Sequence, residues 1–387
     1  GMDKSAVFTA TALASCIGTL IMSFVANYPF GMAPGMGLNA YFTYSVCLGM
    51  GIEWQTALAA VFVSGLIFIA ISMFKVREAI VNAIPMSLKL AIGGGIGLFL
   101  AFVALKNAGI IVDNPATLVG LGDLKDPKVL LALFGLLLIV VMHHFKIRGA
   151  IIISILVVTG LATAMGLNEF QGVVGKIPSL APTFMQMNFE NLFTASMVGV
   201  IFVFFLVDLF DSTGTLVGVS HRAGLLKDGK LPRLKKALFA DSTAIVAGAA
   251  LGTSSTTPYI ESASGVAAGG RTGLTAVVVS VLFLLCLFLA PLAQSVPSFA
   301  TAPALLFVGV LMIQGITHIE WDDITEAVPA FMTIIFMPFA YSIADGIAMG
   351  FISYAVIKLC TGKASTVPYM VWIVAVLWAI KFACFGG

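Results

Sequence analysis

Residues 252–270 read GTSSTTPYIESASGVAAGG. The stretch sets one carboxylate, Glu261, among Gly, Ser, Thr, Ala and Pro, between two long apolar runs. An ionisable group at membrane depth is costly and marks a functional site by default. The segment is also too rich in small residues and β-formers for one plain spanning helix. It reads as a broken helix, and irregular backbone at that depth is tolerated only where it is buried or lines a cavity. Together these features point to a binding site in a transporter.

The surrounding chain supports a membrane setting. It is 60% hydrophobic and 10% charged, where soluble domains carry about 25% charged residues. Apolar runs of about twenty residues recur along it, long enough to cross a hydrocarbon core ~30 Å thick. They are continuous, not alternating, which argues for an all-α polytopic membrane protein and against a β-barrel. The net charge of +2 gives no indication of nucleic acid. Cys16, Cys47, Cys286, Cys360 and Cys384 are scattered without CxxC spacing and read as small core residues. No His, Cys and carboxylate cluster has metal-ligand spacing, so neither a metal nor a cofactor is expected. No signal peptide is visible, and both ends of the chain read as cuts.

Continuous spans are expected near residues 6–26, 54–73, 88–105, 129–142, 150–165, 194–209, 237–251, 274–290, 302–316, 330–343, 347–359 and 369–382, with broken spans at 28–50 and 252–270. Alternate loops then separate by charge. One set holds Lys75, Arg77 and Lys89; Lys146 and Arg148; Arg222, Lys227, Lys230, Arg233, Lys235 and Lys236; Arg271; Lys358 and Lys363. The other holds Asp113, Asp123, Asp126, Glu169 and Glu190. The positive-inside rule places the first set in the cytoplasm and the first residues of the chain outside.

The basic loop 221–236 divides the chain into two comparable halves. In the first, residues 28–50 read YPFGMAPGMGLNAYFTYSVCLGM, a Gly/Pro-interrupted stretch, then Asn39, then a half-helix of small residues. Residues 252–270 follow the same plan around Glu261. Interrupted segments at corresponding places in two halves are the best sequence pointer to a transporter site, and these halves would run oppositely through the membrane.

Glu261 could accept hydrogen bonds from a polar ligand and carry a proton, or cap its half-helix. Asp208 and Asp211, in FFLVDLFDSTGTLVG, fall on one helical face. Asp208 is the more deeply set in apolar sequence; Asp211, with Ser212, Thr213 and Thr215, suits either the site or a polar helix end. Asn39 offers a donor and an acceptor together, which matches the edge of a heterocycle, and it could equally cap a half-helix. Phe30, Tyr41, Phe42 and Tyr259 could stack on a planar ligand. The run Gly93-Gly94-Gly95-Ile96-Gly97 lacks the context of a nucleotide loop and suits close helix packing.

Four blocks carry a family resemblance: NYPFGMAPGMGLNAYFTY, FLVDLFDSTGTLVGV, HRAGLLKDGKLPRLKKALFADS and YIESASGVAAGGRTGLTAVV. They resemble the AzgA-type purine permeases, relatives of the uracil and xanthine permeases, and the likeness runs along essentially the whole chain. It implies fourteen spans in an inverted repeat of seven plus seven. A core domain would comprise residues 1–73 and 193–297, and a gate domain 74–192 and 298–387. The third and tenth spans would each be a short strand plus a half-helix. The resemblance further implies a bacterial cytoplasmic-membrane importer of adenine, guanine or hypoxanthine coupled to protons, with a gate-mediated homodimer. Asp208 and Glu261 match the acidic pair that would hold the base and link it to the proton; Asn39, Asp211 and Thr213 stay candidate binding residues, and Phe30 and Tyr259 candidate stacking residues, on the reading of the residues themselves. The family has a span before GMDK, so the chain reads as lacking the first span, and residues 369–382 lie beyond the fourteenth.

The rival functions are an anion transporter of the same fold, carrying sulfate or bicarbonate, an intramembrane aspartyl protease using Asp208 and Asp345, and a channel. An anion site should offer a basic residue, and Arg271 lies past the half-helix. The protease would need GxGD and YD motifs, and neither is present. A carboxylate pair on broken helices suits alternating access better than a continuous pore.

Overall fold

The computed structural model describes residues 1–73, 84–190, 192, 194–222, 225, 231–259, 261–267 and 269–385. Lys75, Arg77, Lys227 and Lys230, used above for orientation, lie outside them. In chain order the elements are α1 (Lys4–Ile21), β1 (Met32–Pro34), α2 (Met36–Ala40), α3 (Trp54–Met73), α4 (Met86–Asn107), the hairpin β2 (Ile111–Asn114) and β3 (Leu118–Leu121), α5 (Pro127–His144), α6 (Ala150–Ala164) and α7 (Ala195–Arg222). There follow α8 (Leu234–Leu251), β4 (Thr256–Pro258), α9 (Ser262–Ala267), α10 (Gly273–Cys286), α11 (Ala290–Gln294), α12 (Ser298–Ile313), α13 (Ile324–Phe339), α14 (Ile343–Cys360) and α15 (Tyr369–Phe385). Among the described residues, seven helices are long and apolar enough to cross a membrane. The chain is a multi-pass helical membrane protein.

Both expected broken spans appear. In each, a three-residue strand leads into a half-helix: β1 into α2, which continues as π-helix over Tyr41–Gly49, and β4 into α9. The strands pair antiparallel, Met32 with Pro258, Ala33 with Thr257 and Pro34 with Thr256. The pairing satisfies backbone groups that a broken helix would otherwise leave bare in an apolar interior. Gly35 N–H to Ser255 O and Tyr259 N–H to Gly31 O, both 2.9 Å, extend the pairing past each strand end.

Small residues bring the helices around this crossover close together. On α1, Ala6, Ala10, Ala14 and Gly18 recur every fourth residue and are buried. They form one stripe, and α8 faces it with buried Ala237, Ala240, Ala244 and Gly248. Such stripes let backbones approach where lipid tails supply no hydrophobic drive between helices. A first group of helices, α1, α3, α8 and α10, packs around the crossover in this way, with α7 against α3. A second group, α4, α5, α12, α13 and α14, packs on itself.

The glycine-rich run of α4 serves this second group. A Cβ on Gly97 would lie 2.8 Å from Gly309 O, and one on Gly309 2.6 Å from Gly97 O, so α4 and α12 cross backbone to backbone. Gly97→Val is therefore expected to destabilise the protein by about 1–3 kcal/mol through overpacking. Thermal unfolding in detergent would show this as a lowered midpoint. An unchanged midpoint would mean that α4 and α12 do not cross backbone to backbone.

Residues 369–382 form most of α15, which packs on α14 and α7. Val371, Val374, Ala375 and Trp378 join the largest apolar cluster, with the Trp378 ring 5.6 Å from Phe202 of α7. The segment is thus an integral part of the packed bundle.

Candidate functional site

Helix α7 runs past the crossover and presents its carboxylates in register with the extended chain. Asp208 and Asp211 are one helical turn apart; Ser255 and Thr257 are two apart on an extended segment and so share a face. Ser255 Oγ lies 2.6 Å from both carboxylate oxygens of Asp208. Thr257 Oγ1 donates to Asp211 Oδ2 at 3.2 Å. Gly35 permits this approach: a Cβ there would stand 2.9 Å from Thr257 Oγ1 and 3.5 Å from Asp211 Oδ2.

A small cavity of about 50 Å³ opens beside this ladder. One wall is largely polar: Asp211 and Thr215 of α7, Thr257, Tyr259 and Glu261 of the second broken span, with Gly35, Met36 and Gly37 at the start of α2 beside them. The opposite wall is apolar, built from Ile96 and Leu100 of α4 and Val308 and Met312 of α12. The cavity therefore lies between the two helix groups. It offers hydrogen-bonding groups to one edge of a ligand and apolar surface to its face.

Of the residues singled out in the sequence, Glu261, Asp211 and Tyr259 line the cavity. Asp208 is fully buried behind it, on Ser255. Asn39 braces the crossover: its Nδ2 donates to Pro34 O at 3.4 Å and its Oδ1 accepts from Ser254 Oγ. Tyr259 OH donates to the same carbonyl at 2.6 Å. Thr213 is buried and is not among the lining residues. Phe30 is buried edge-on to Tyr28 at 5.6 Å, and Tyr41 edge-on to Phe204 at 5.0 Å; neither lines the cavity.

The sequence had not singled out the apolar wall, Met36, Thr257, or Asp241, a carboxylate as fully buried as Asp208. Asp241 is fully buried on α8 and accepts from Ser212 Oγ at 2.9 Å, next to Asp211 in the chain. It lies inside the expected span at 237–251, and an ionisable residue at that depth was the signal that could have found it. Among the described residues no group of His, Cys, Asp and Glu has the arrangement of a metal site.

Two broken spans paired at their strands, with a part-polar cavity between two helix groups, define a membrane transporter built on an inverted repeat. The transmembrane domain of a cyanobacterial bicarbonate transporter, BicA, shares the fold. It has a TM-score of 0.62 at 17% identity, covering 96% of this chain and 94% of that one.

The chain belongs to the Permease family, which it matches over residues 1–349. It is 50% identical over 384 residues to the guanine/hypoxanthine permease PbuG of Bacillus subtilis, covering 98% of this chain and 87% of that one. It is 47% identical over 382 residues to the adenine permease AdeP of Escherichia coli, covering 98% and 86%. The chain is a permease, not an enzyme.

Proposed function

We propose that this permease imports purine nucleobases across the cytoplasmic membrane by proton symport. The observation that carries the reading is the pair Asp211 and Glu261 on the polar wall, facing an apolar wall within one cavity. A purine matches that arrangement, because its edge bears N–H donors and ring-nitrogen acceptors while its faces are apolar. The relatives named above, permeases of adenine and of guanine and hypoxanthine, point to the same ligand class.

In this reading Glu261 takes up the coupling proton, and the base binds by its edge to Asp211, Glu261 and the first backbone N–H groups of α2. The group holding both broken spans, residues 1–73 and 193–297, then moves against the gate, residues 74–192 and 298–387, with the basic loops inside. Asp208 acts through Ser255, holding the strand that carries Thr257. BicA carries bicarbonate on the same fold, so fold alone does not select the ligand. Two carboxylates with no basic residue among those lining the cavity disfavour an anion.

The test is uptake of labelled adenine, guanine or hypoxanthine by the full-length protein in cells lacking purine uptake. Accumulation is expected, competed by unlabelled bases and abolished by a protonophore. Accumulation that survives collapse of the proton gradient would remove the coupling. Sulfate uptake without purine uptake would favour the anion reading.

A further inference from the structure

One aromatic cluster has no part in binding. Tyr44, on the π-helical continuation of α2, sets its ring edge-on to Tyr341, with centroids 5.6 Å apart and planes at 77°. Tyr341 lies in the turn between α13 and α14. Phe99 and Phe102 of α4 hold it from their side at 5.5 and 6.0 Å. Lys106 Nζ sits 5.6 Å from the centre of the same ring and pairs with Asp113 at 3.5 Å. Three of these rings thus belong to the second helix group. Tyr44 alone belongs to the first broken span, whose Gly35, Met36 and Gly37 line the cavity.

The turn itself is shaped to make this contact. Tyr341 has φ 53°, a left-handed conformation that is costly for a bulky side chain. Ser342 N–H to Met337 O at 3.0 Å closes the end of α13 around it. Two residues on, Ile343 is buried and reaches within 3.1 Å of where a Cβ on Gly37 would stand. The turn therefore abuts the start of α2, which lines the cavity. By the loop charges this end of the molecule faces outside. Separating the two helix groups at this end parts Tyr44 from Tyr341.

We propose that Tyr44 and Tyr341 are the outer gate of the transport path, touching when the cavity is closed to the outside and parting when it opens. The proposal rests on the alternating-access reading above, though not on the identity of the substrate. One edge-to-face ring pair biases such an equilibrium severalfold and can still break in every cycle. Lys106, Phe99 and Phe102 are positioning residues: they hold Tyr341 in place while Tyr44 comes and goes.

The test uses the full-length protein with its native cysteines replaced by Ser and Met36→Cys as a reporter on the cavity wall. Intact cells are treated with a membrane-impermeant maleimide. Tyr44→Ala, which removes the ring contact between the groups, is expected to raise the labelling rate about fivefold. Tyr341→Ala should raise it at least as much, and Tyr44→Phe, which keeps the ring, should leave it unchanged. Equal labelling in Tyr44→Ala and its parent would overturn the gate.

A second arm links Tyr44→Cys to Tyr341→Cys with a short bifunctional thiol reagent. Uptake of labelled adenine should stop in the linked protein and continue in each single variant. Uptake that persists after complete linking would also overturn the proposal. The labelling arm needs no substrate. Raised labelling in a protein that moves no purine would therefore uphold the gate and reject the purine reading.

Discussion

Glu261→Gln is expected to leave the protein folded in the membrane and to abolish purine accumulation against a gradient. The substitution keeps the shape of the side chain and its place on the cavity wall, directly before α9. It removes the group that alternates between carboxylate and carboxylic acid. A glutamine can still hydrogen-bond a base, and it cannot carry a proton across the membrane. Exchange of labelled for unlabelled base should therefore persist while net accumulation disappears. Asp211→Asn supplies the contrast. It loses a charged acceptor, and hydrogen bonds to charged groups contribute about 1.5–3 kcal/mol. That corresponds to about ten- to a hundredfold in apparent affinity. Asp211→Asn should thus weaken half-saturation with a protonophore response intact, whereas Glu261→Gln should remove that response. Accumulation by Glu261→Gln at the parental level would show that the proton is carried elsewhere.

The contrast also shows where sequence reasoning stops. An isolated carboxylate in a Gly- and Ser-rich break is visible in a linear sequence, because charge is costly at that depth and small residues signal irregular backbone. The two breaks at 28–50 and 252–270 were legible for the same reason, and so was the inverted relation between the halves. The division of labour between Asp208 and Asp211 was not legible. Both lie on one face of α7, and depth in the apolar run favoured Asp208. Their surroundings are set by the neighbouring strand: Ser255 takes Asp208 away from the cavity, while Thr257 leaves Asp211 on its wall. That depends on the register of a segment 47 residues away in sequence. The apolar wall was hidden for another reason. Ile96, Leu100, Val308 and Met312 are four apolar residues in a chain that is 60% hydrophobic. Only the crossing of α4 on α12, through Gly97 and Gly309, turns them towards the site.

The second large effect is expected far from the cavity, at the opposite end of α4. Lys358, in the last turn of α14, sets its Nζ 2.6 Å from Glu326 Oε1 and 2.8 Å from Thr325 Oγ1, both in the first turn of α13. Glu326 also accepts from Tyr354 OH at 3.1 Å and from Ser87 Oγ at the start of α4. The two charged side chains are 5% and 16% exposed, so one cluster ties three helices together out of solvent. Removing one partner of a buried pair leaves an uncompensated charge and costs about 3–5 kcal/mol. Lys358→Met should therefore lower thermal stability in detergent sharply. Adding Glu326→Gln to it should restore most of the loss, because the stranded charge is then gone while the side-chain volume is kept. Lys363 and Asp323, 3.1 Å apart and 46% and 35% exposed, are the control. Exposed pairs contribute about 0–1 kcal/mol, and Lys363→Met should shift the midpoint little. If Lys358→Met and Lys363→Met proved equally mild, the cluster would be solvated. If the double variant were no better than Lys358→Met, the loss would come from packing and hydrogen bonds around α4, not from the stranded carboxylate. Rescue by the double variant would show that charge balance holds the start of α4 in place, and with it the wall that Ile96 and Leu100 present to the cavity.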